Sequence, residues 1–483
     1  MLLAVAVALA LGFEFVNGFH DTANAVATVI YTNTLKPTPA VVWSGIWNLI
    51  GVLTSSGAVA FGIVSLLPVE LVLNVGTTAG FAMVFSILVS AIVWNLGTWW
   101  LGLPASSSHT LIGSILGVGI ANSLLGTTHS VTDGVNWSKA LEVMLGLLIS
   151  PAIGFAIAAL LLILLKVALR NPALFQAPEP GKKPPVWIRG ILMTTCTGVS
   201  FAHGSNDGQK GMGLIVLILV GLLPGTYALN LSAVRSEIAA LVEDSTQLAT
   251  RFRSQGVAET MPQAEATQTL SAYLKPMSET SPRTFAALAT TCDAITSQLQ
   301  PLQTLADLHP TNRARIRTDF YLVSKAIRRL DAEGHRQGAS PIHDIERRFA
   351  SHAEALTQFI PRWVQVSVAL ALGLGTMIGY RRIVRTVGEK IGKDHLTYAQ
   401  GASAEAVAMA AILTGDHLAL PISTTHVLSS GIAGTMAANA SGLQTATVRN
   451  ILLAWVLTLP VSVFLGTLLF AASLNLGVLV FGG

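Results

Sequence analysis

Charge is what this chain has least of. Only 11% of its 483 residues are Asp, Glu, Lys or Arg, while 52% are hydrophobic, and an ordinary soluble protein carries about twice that share of charge. The shortage excludes an ordinary water-soluble fold and points to a chain embedded in lipid. Cysteine is nearly missing too. Cys196 lies in an apolar segment and Cys292 in a polar one, which excludes a disulfide framework and a cysteine-ligated metal centre. Also absent are a P-loop, a Rossmann glycine pattern, HExxH and GxSxG, so neither a nucleotide-driven pump nor one of the commoner hydrolases is expected. An energy source for transport would then be an ion gradient.

The charge that exists is unevenly placed. Of the 54 charged side chains, 28 fall between residues 226 and 360, split equally between acids and bases. The net charge of +4 therefore belongs to the apolar remainder, at its edges, where Lys166, Arg170, Lys182, Lys183, Arg189, Arg381, Arg382, Arg385, Lys390 and Lys393 gather. Short basic loops of this kind mark the cytoplasmic side of a membrane protein and do not call for nucleic acid. Apolar stretches at 1–31, 41–65, 78–100, 103–125, 139–168, 190–224, 361–380, 396–417, 421–439 and 449–477 predict ten crossings of a bilayer about 30 Å thick. The opening MLLAVAVALALGFEF has no basic start and no small-residue cleavage site, so it is expected to be a retained helix.

The chain repeats itself. FVNGFHDTANA (15–25) aligns with FAHGSNDGQKG (201–211) at an offset of 186, and LPASSSHTLIG (103–113) aligns with LPISTTHVLSS (420–430) at an offset of 317. The offsets differ by 131 residues, close to the length of the polar segment, so the second copy carries an insertion. The predicted organisation is a first membrane repeat at 1–170, a basic cytoplasmic linker at 171–189, a second repeat at 190–225 with 361–483, and a soluble, mainly helical domain at 226–360. Five crossings per repeat make the copies inverted, with both termini and the insertion outside. The expected fold class is an all-α polytopic membrane protein with broken or re-entrant helices, the plan of secondary transporters that bind cargo where the copies meet.

An ionisable side chain inside a bilayer costs about 2.5–3.5 kcal/mol or more and marks a candidate site. Five qualify: Glu14, Asp21, Asp207, Lys210 and Glu405. Asp21 and Asp207 hold equivalent positions beside glycines and the amides Asn24 and Asn206. Glycine would let the helix unwind there, and these four residues would hold a coupling cation or a metal. Each aspartate could instead cap a broken helix. PASSSH and PISTTH supply the complementary chemistry: proline and hydroxyl residues predict half-helices starting inside the membrane. Their N-termini, with Ser106, Ser107, Ser108, Ser423, Thr424 and Thr425, would bind a tetrahedral oxyanion. The bland alternative is that the hydroxyls bond back to their own helices. Glu14, His20, His203, His109, His426 and Lys210 are candidate proton carriers or accessory groups, or else struts and ion-pair partners.

At these residues the sequence resembles the inorganic phosphate transporter (PiT) family, whose signature is a repeated Gly-Ala-Asn-Asp-Val-Ala-Asn-type motif. The copies here read GFHDTANA (18–25) and GSNDGQKG (204–211). The resemblance covers both membrane repeats and is close to the low-affinity bacterial Pit branch. It implies symport of inorganic phosphate with protons across the bacterial inner membrane, as a complex with magnesium or another divalent metal, with arsenate as an analogue. Sodium coupling and another oxyanion such as sulfate are the alternatives within transport. A membrane enzyme and a receptor acting through the inserted domain are the alternatives outside it. His20 and Lys210 stand where the family motif has Asn, which removes amides that sodium would use and favours protons. No resident cofactor is expected. The oligomeric state stays open, with a homodimer as one arrangement.

Overall fold

The computed structural model describes residues 2–66, 77–125, 135–169, 171–179, 181–255, 261–274, 278–336 and 344–481. Among the described residues there is no strand, and a lone antiparallel bridge joins Gly392 to Leu443. Two compact units form: Met1–Pro68, Thr78–Ile218 and Ile360–Gly483 make one, Val69–Thr77 and Leu219–Phe359 the other. In chain order the helices are α1 Leu2–Tyr31, α2 Pro37–Thr54, α3 Ala58–Val64, α4 Thr78–Trp100, α5 Ser107–Leu125, α6 Trp137–Ala168 and α7 Val186–Leu222. The second unit holds α8 Arg235–Gln255, α9 Gln263–Tyr273, α10 Pro282–Leu299, α11 Pro310–Arg336 and α12 Asp344–Thr357. The first resumes with α13 Arg362–Met377, α14 Tyr398–His417, α15 Thr424–Ala438 and α16 Thr445–Phe481.

A helix lies in each of the ten apolar stretches, but five are long and apolar enough to cross a membrane by themselves: Leu2–Tyr31, Thr78–Trp100, Ser107–Leu125, Ala140–Ala168 and Thr445–Asn475. The others fall short for physical reasons. Helices α13 and α15 have only 16 and 15 residues, α14 carries Glu405 and Asp416, the apolar run of α7 is interrupted by the polar HGSNDGQKG, and the 41–65 stretch bends by 75° between α2 and α3. Gly57 makes that bend, with a left-handed φ of +83° that a side chain would resist. Helices α6 and α16 run unbroken through Pro151 and Pro460. Their outer faces leave Leu148, Val167, Val456 and Phe464 between 62 and 76% exposed, an apolar surface suited to lipid.

The motif glycines do not unwind their helices. Helices α1 and α7 continue through Gly18 and Gly204, because the missing side chain is used for backbone contact. A Cβ on Gly18 would strike Leu372 O and Thr376 N of α13, and one on Gly204 would strike Asn48 of α2. The facing glycines do the same: a Cβ on Gly375 would meet Phe15 O, and one on Gly51 would meet Phe201 O. Phe15 and Phe201 occupy matching places in the 186-residue offset, so each motif helix crosses its neighbour through the same device. Corresponding turns also precede α5 and α15. Gly102 and Ala419, 317 residues apart, both adopt left-handed φ, +67° and +56°. In each turn an N–H reaches back five residues, Leu103 to Thr98 at 2.9 Å and Leu420 to Gly415 at 2.8 Å, which closes the helix end.

The second unit has its own core, built on Leu241, Phe252, Leu288, Ile295, Phe320 and Phe349. Side chains finish some of its turns: Ser281 and Thr284 form a capping box at α10, and the buried Arg313 donates to the carbonyls of Leu308, Gly225 and Ala306. Burial pushes the Asp319 carboxyl up to about 7, against the opposing pull of the Gln263 amide and the Arg315 charge.

Candidate ion-binding site

Helices α5 and α15 begin at Ser107 and Thr424, and the preceding serines cap them. Ser106 Oγ accepts the His109 N–H and Ser423 Oγ accepts the His426 N–H, each at 3.2 Å. Pro104 and Pro421 lie two residues before the caps, in the extended lead-in, and not in the first turn as the sequence suggested. There the prolines stiffen the approach without removing a donor the helix needs.

Asp21 joins the N-termini of α5 and α15. Its Oδ2 accepts from Ser107 Oγ at 2.8 Å, and its Oδ1 accepts from Thr425 Oγ1 at 2.5 Å. The carboxylate is 3% exposed. An anionic side chain thus already occupies the hydroxyl donors at both N-termini, where the helix dipoles favour negative charge. Asp207 is adjacent. Its Oδ2 lies 2.7 Å from Lys210 Nζ, 3.5 Å from His203 Nε2 and 3.4 Å from Ser107 Oγ. Its Oδ1 is buried with no hydrogen-bond partner among the described residues.

Two histidines face these acids with nitrogens whose roles are set from behind. The Thr376 hydroxyl donates to Leu372 O, so it accepts from Asn48 Nδ2, and Asn48 Oδ1 must then accept from His203 Nδ1 at 2.8 Å. That leaves His203 Nε2 pointing at the carboxylates, 4.0 Å from Asp21 and 3.5 Å from Asp207. Thr98 likewise donates to backbone carbonyls and accepts from His20 Nε2 at 3.1 Å, which turns His20 Nδ1 toward Asp21 at 3.4 Å. A neutral imidazole would put a lone pair against each acid. Only a cation or a proton makes that arrangement attractive. The donor atoms of Asp21, His203 and Asp207 lie within 4.8 Å of one another, and two carboxylates with an imidazole form a donor set that suits a divalent metal.

The remaining expected residues separate into groups. Asn206 is engaged by backbone, donating to Leu420 O at 3.2 Å and accepting from Ile422 N at 3.3 Å. The side chain of Asn24 lies outside the described residues. Ser108 donates to Ile422 O, and Thr424 Oγ1 has no partner among the described residues. His109 and His426 stack on each other with ring centroids 4.5 Å apart, and Trp455 covers His426 at 4.1 Å. Glu14 is buried against Gly211 and takes a long 3.5 Å contact from Asn17. Glu405 stands apart, accepting from Thr28 of α1 and from Thr195 of α7.

Two residues with no signal in the motifs belong to this region. Asn48 carries no charge and sits in an apolar run, yet it orients His203. Asp416 is half-buried at the end of α14 and accepts from Ser205 and Gln209. A carboxylate one residue from the end of an apolar stretch gives nothing to distinguish it from a solvated one.

The comparisons with known proteins agree with one another. The chain is 41% identical to the low-affinity inorganic phosphate transporter PitA of Escherichia coli, over 98% of this chain and 97% of that one. It is 40% identical to PitB of the same organism, over 99% of this chain and 97% of the relative. A probable low-affinity inorganic phosphate transporter of Bacillus subtilis is 26% identical over 95% of this chain and 93% of its own length. A solved structure titled the sodium-dependent phosphate transporter shares the fold, with a TM-score of 0.52 at 18% identity, covering 98% of this chain and 99% of that one. The model of the phosphate transporter family matches residues 17–466, the span that holds every group described above except Glu14, and the chain belongs to that family.

Proposed function

We propose that the chain is a secondary transporter of inorganic phosphate in which Asp21 couples cation binding to phosphate binding. The observation that carries this is the double engagement of Asp21 by Ser107 and Thr425. These hydroxyls, at the first turns of two half-helices, are natural donors to an oxyanion. With Asp21 ionised and bare they are already used, and a phosphate arriving beside it would meet a like charge. A cation on Asp21 changes both conditions: it neutralises the carboxylate and competes for its oxygens. Ser107 and Thr425 can then turn their protons toward phosphate, together with the unpartnered Thr424. Cation first and phosphate second is the resulting order, and neither ion alone fills the site.

The coupling ion in this reading is a proton, and the cargo is phosphate with a divalent metal such as magnesium. His20, His203 and Lys210 stand around the acids where neutral amides would suit sodium better. A metal carried with phosphate would meet Asp21, His203 and the open Oδ1 of Asp207, and the complex would cross with little net charge. Arsenate, with the same shape and charge, would compete. The repeats would be inverted, with the basic run at 381–393 in the cytoplasm and the second unit outside, in the inner membrane of a bacterium.

The test is labelled phosphate uptake into proteoliposomes under an imposed proton gradient, with magnesium or sodium added in turn. Uptake that follows the proton gradient and rises with magnesium is expected. Uptake that follows sodium at constant pH would replace the proton by sodium, and no phosphate uptake under any ion condition would overturn the reading.

A further inference from the structure

Positions that correspond in the two sequence copies touch one another in both halves of the first unit, with opposite chemistry. Phe19 corresponds to Ser205 in the 186-residue offset, and Trp99 corresponds to Asp416 in the 317-residue offset. The rings of Phe19 and Trp99 are 5.0 Å apart. In the other copy Ser205 Oγ donates to Asp416 Oδ2 at 2.6 Å, and Gln209 Nε2 donates to Asp416 Oδ1 at 2.5 Å. Gln209 Oε1 in turn accepts the Val59 N–H at 2.9 Å, where α3 begins.

Ser205 and Gln209 flank Asp207 by two residues on either side. Asn206, between them, is bonded to Leu420 and Ile422. This stretch of α7 is therefore fastened to the last turn of α14 and to the lead-in of α15, right beside the paired acids. Ser205 and Gln209 are buried, at 4% and 0% exposure, whereas Leu418, two residues past Asp416, is 59% exposed. The Asp416 carboxylate lies at the boundary between surface and site. Trp99 has the same place in the other copy: Leu101 beyond it is 70% exposed, and the Arg382 guanidinium covers the ring at 5.2 Å.

We propose that Asp416 is a gating residue, whose clasp on Ser205 and Gln209 closes the passage from one face of the protein to the paired acids, while Phe19 and Trp99 close the passage from the other. The inference rests on the transporter reading. A carboxylate clasp can open by exchanging two hydroxyl and amide donors for water, which leaves no apolar surface wet. The aromatic contact opens only by exposing rings. The Asp416 side is thus the one whose opening water and charge control, and with Arg382 on the cytoplasmic side, it faces outward.

The experiment uses the full chain with Cys196→Ala and Cys292→Ala. Ser205→Cys combined with Asp416→Cys is oxidised in proteoliposomes. A disulfide that lowers phosphate uptake at least tenfold, and releases it on reduction, is expected. In a second arm Ser205→Cys alone is labelled with a membrane-impermeant maleimide. Labelling from the outer face, accelerated at least severalfold by Asp416→Ala, is expected. Failure to form the disulfide, full uptake by the oxidised pair, or labelling only from the cytoplasmic face would overturn the gate. If the Cys196→Ala, Cys292→Ala parent with Ser205 and Asp416 intact carries no phosphate, the transporter reading fails, and the labelling arm still reports on the clasp.

Discussion

Lys210 is fully buried, and its Nζ lies 2.7 Å from Asp207 Oδ2, the carboxylate being 1% exposed. Asp207→Asn would leave the ammonium in the interior without its partner, with the Ser107 hydroxyl at 3.5 Å and the buried Glu14 carboxyl within electrostatic reach but no close ion pair among the described residues. Lys210→Met would leave the carboxylate with His203 at 3.5 Å and Ser107 at 3.4 Å. Each single change is expected to cost about 3–5 kcal/mol, the usual consequence of stranding one member of a buried pair. Making both changes removes both charges and keeps similar volumes, so the double variant should lie within about 1 kcal/mol of the parent, which makes the coupling energy about 5 kcal/mol or more. Denaturation of the purified protein in detergent measures the three stabilities, and uptake assays run beside it. The double variant should fold and fail to accumulate phosphate, because one acid of the cation site is gone. Single variants that each lose under about 1 kcal/mol would refute the buried pair, and a double variant that accumulates phosphate would remove Asp207 from the transport machinery.

Three further outcomes follow from the geometry. Ala419 adopts a φ of +56° at the turn where the first copy has Gly102, so Ala419→Gly should stabilise the protein by about 0.5–1 kcal/mol in the same denaturation assay. Gly51→Val should destabilise it by more than about 2 kcal/mol, since even a Cβ there meets the backbone of Phe201 and Ser205, and overpacking typically costs 1–3 kcal/mol. In the second unit the raised carboxyl of Asp319 favours the protonated native state, so native protein binds more protons than unfolded chain between about pH 4 and 7. Stability should fall as pH rises through that window, by on the order of 2–4 kcal/mol. Hydrogen-exchange protection of α9 and α11 at pH 5 and pH 8 measures this, and Asp319→Asn should flatten the difference.

Much of the membrane architecture is legible in the sequence because apolar length and scarce charge leave few other solutions. The all-helical fold and the family follow from those stretches and from the two motifs. Residues with two physical uses were harder to read. Gly18 and Gly204 could either unwind a helix or let two backbones meet, and nothing in α1 or α7 alone says that α13 and α2 pack there. Asn206 looks like an ion ligand beside Asp207, yet its amide holds the lead-in to α15, a contact between positions more than 200 residues apart. Ser107 and Thr425 have donors suited to phosphate, and only the fold shows that Asp21 reaches both. Asn48 and Asp416 act through α7, so their own neighbours in sequence carry no sign of it.

Asp21 is the centre of the account, and Asp21→Asn tests it most directly. An asparagine there holds no coupling cation, leaves Thr425 without its anionic acceptor and leaves Ser107 only the longer 3.4 Å contact to Asp207. In proteoliposomes the variant should still bind labelled phosphate, with an affinity that no longer depends on pH or on added cation, and it should fail to accumulate phosphate under a proton gradient. Proton-driven accumulation by the variant at the rate of the parent would contradict the claim that Asp21 couples the two ions.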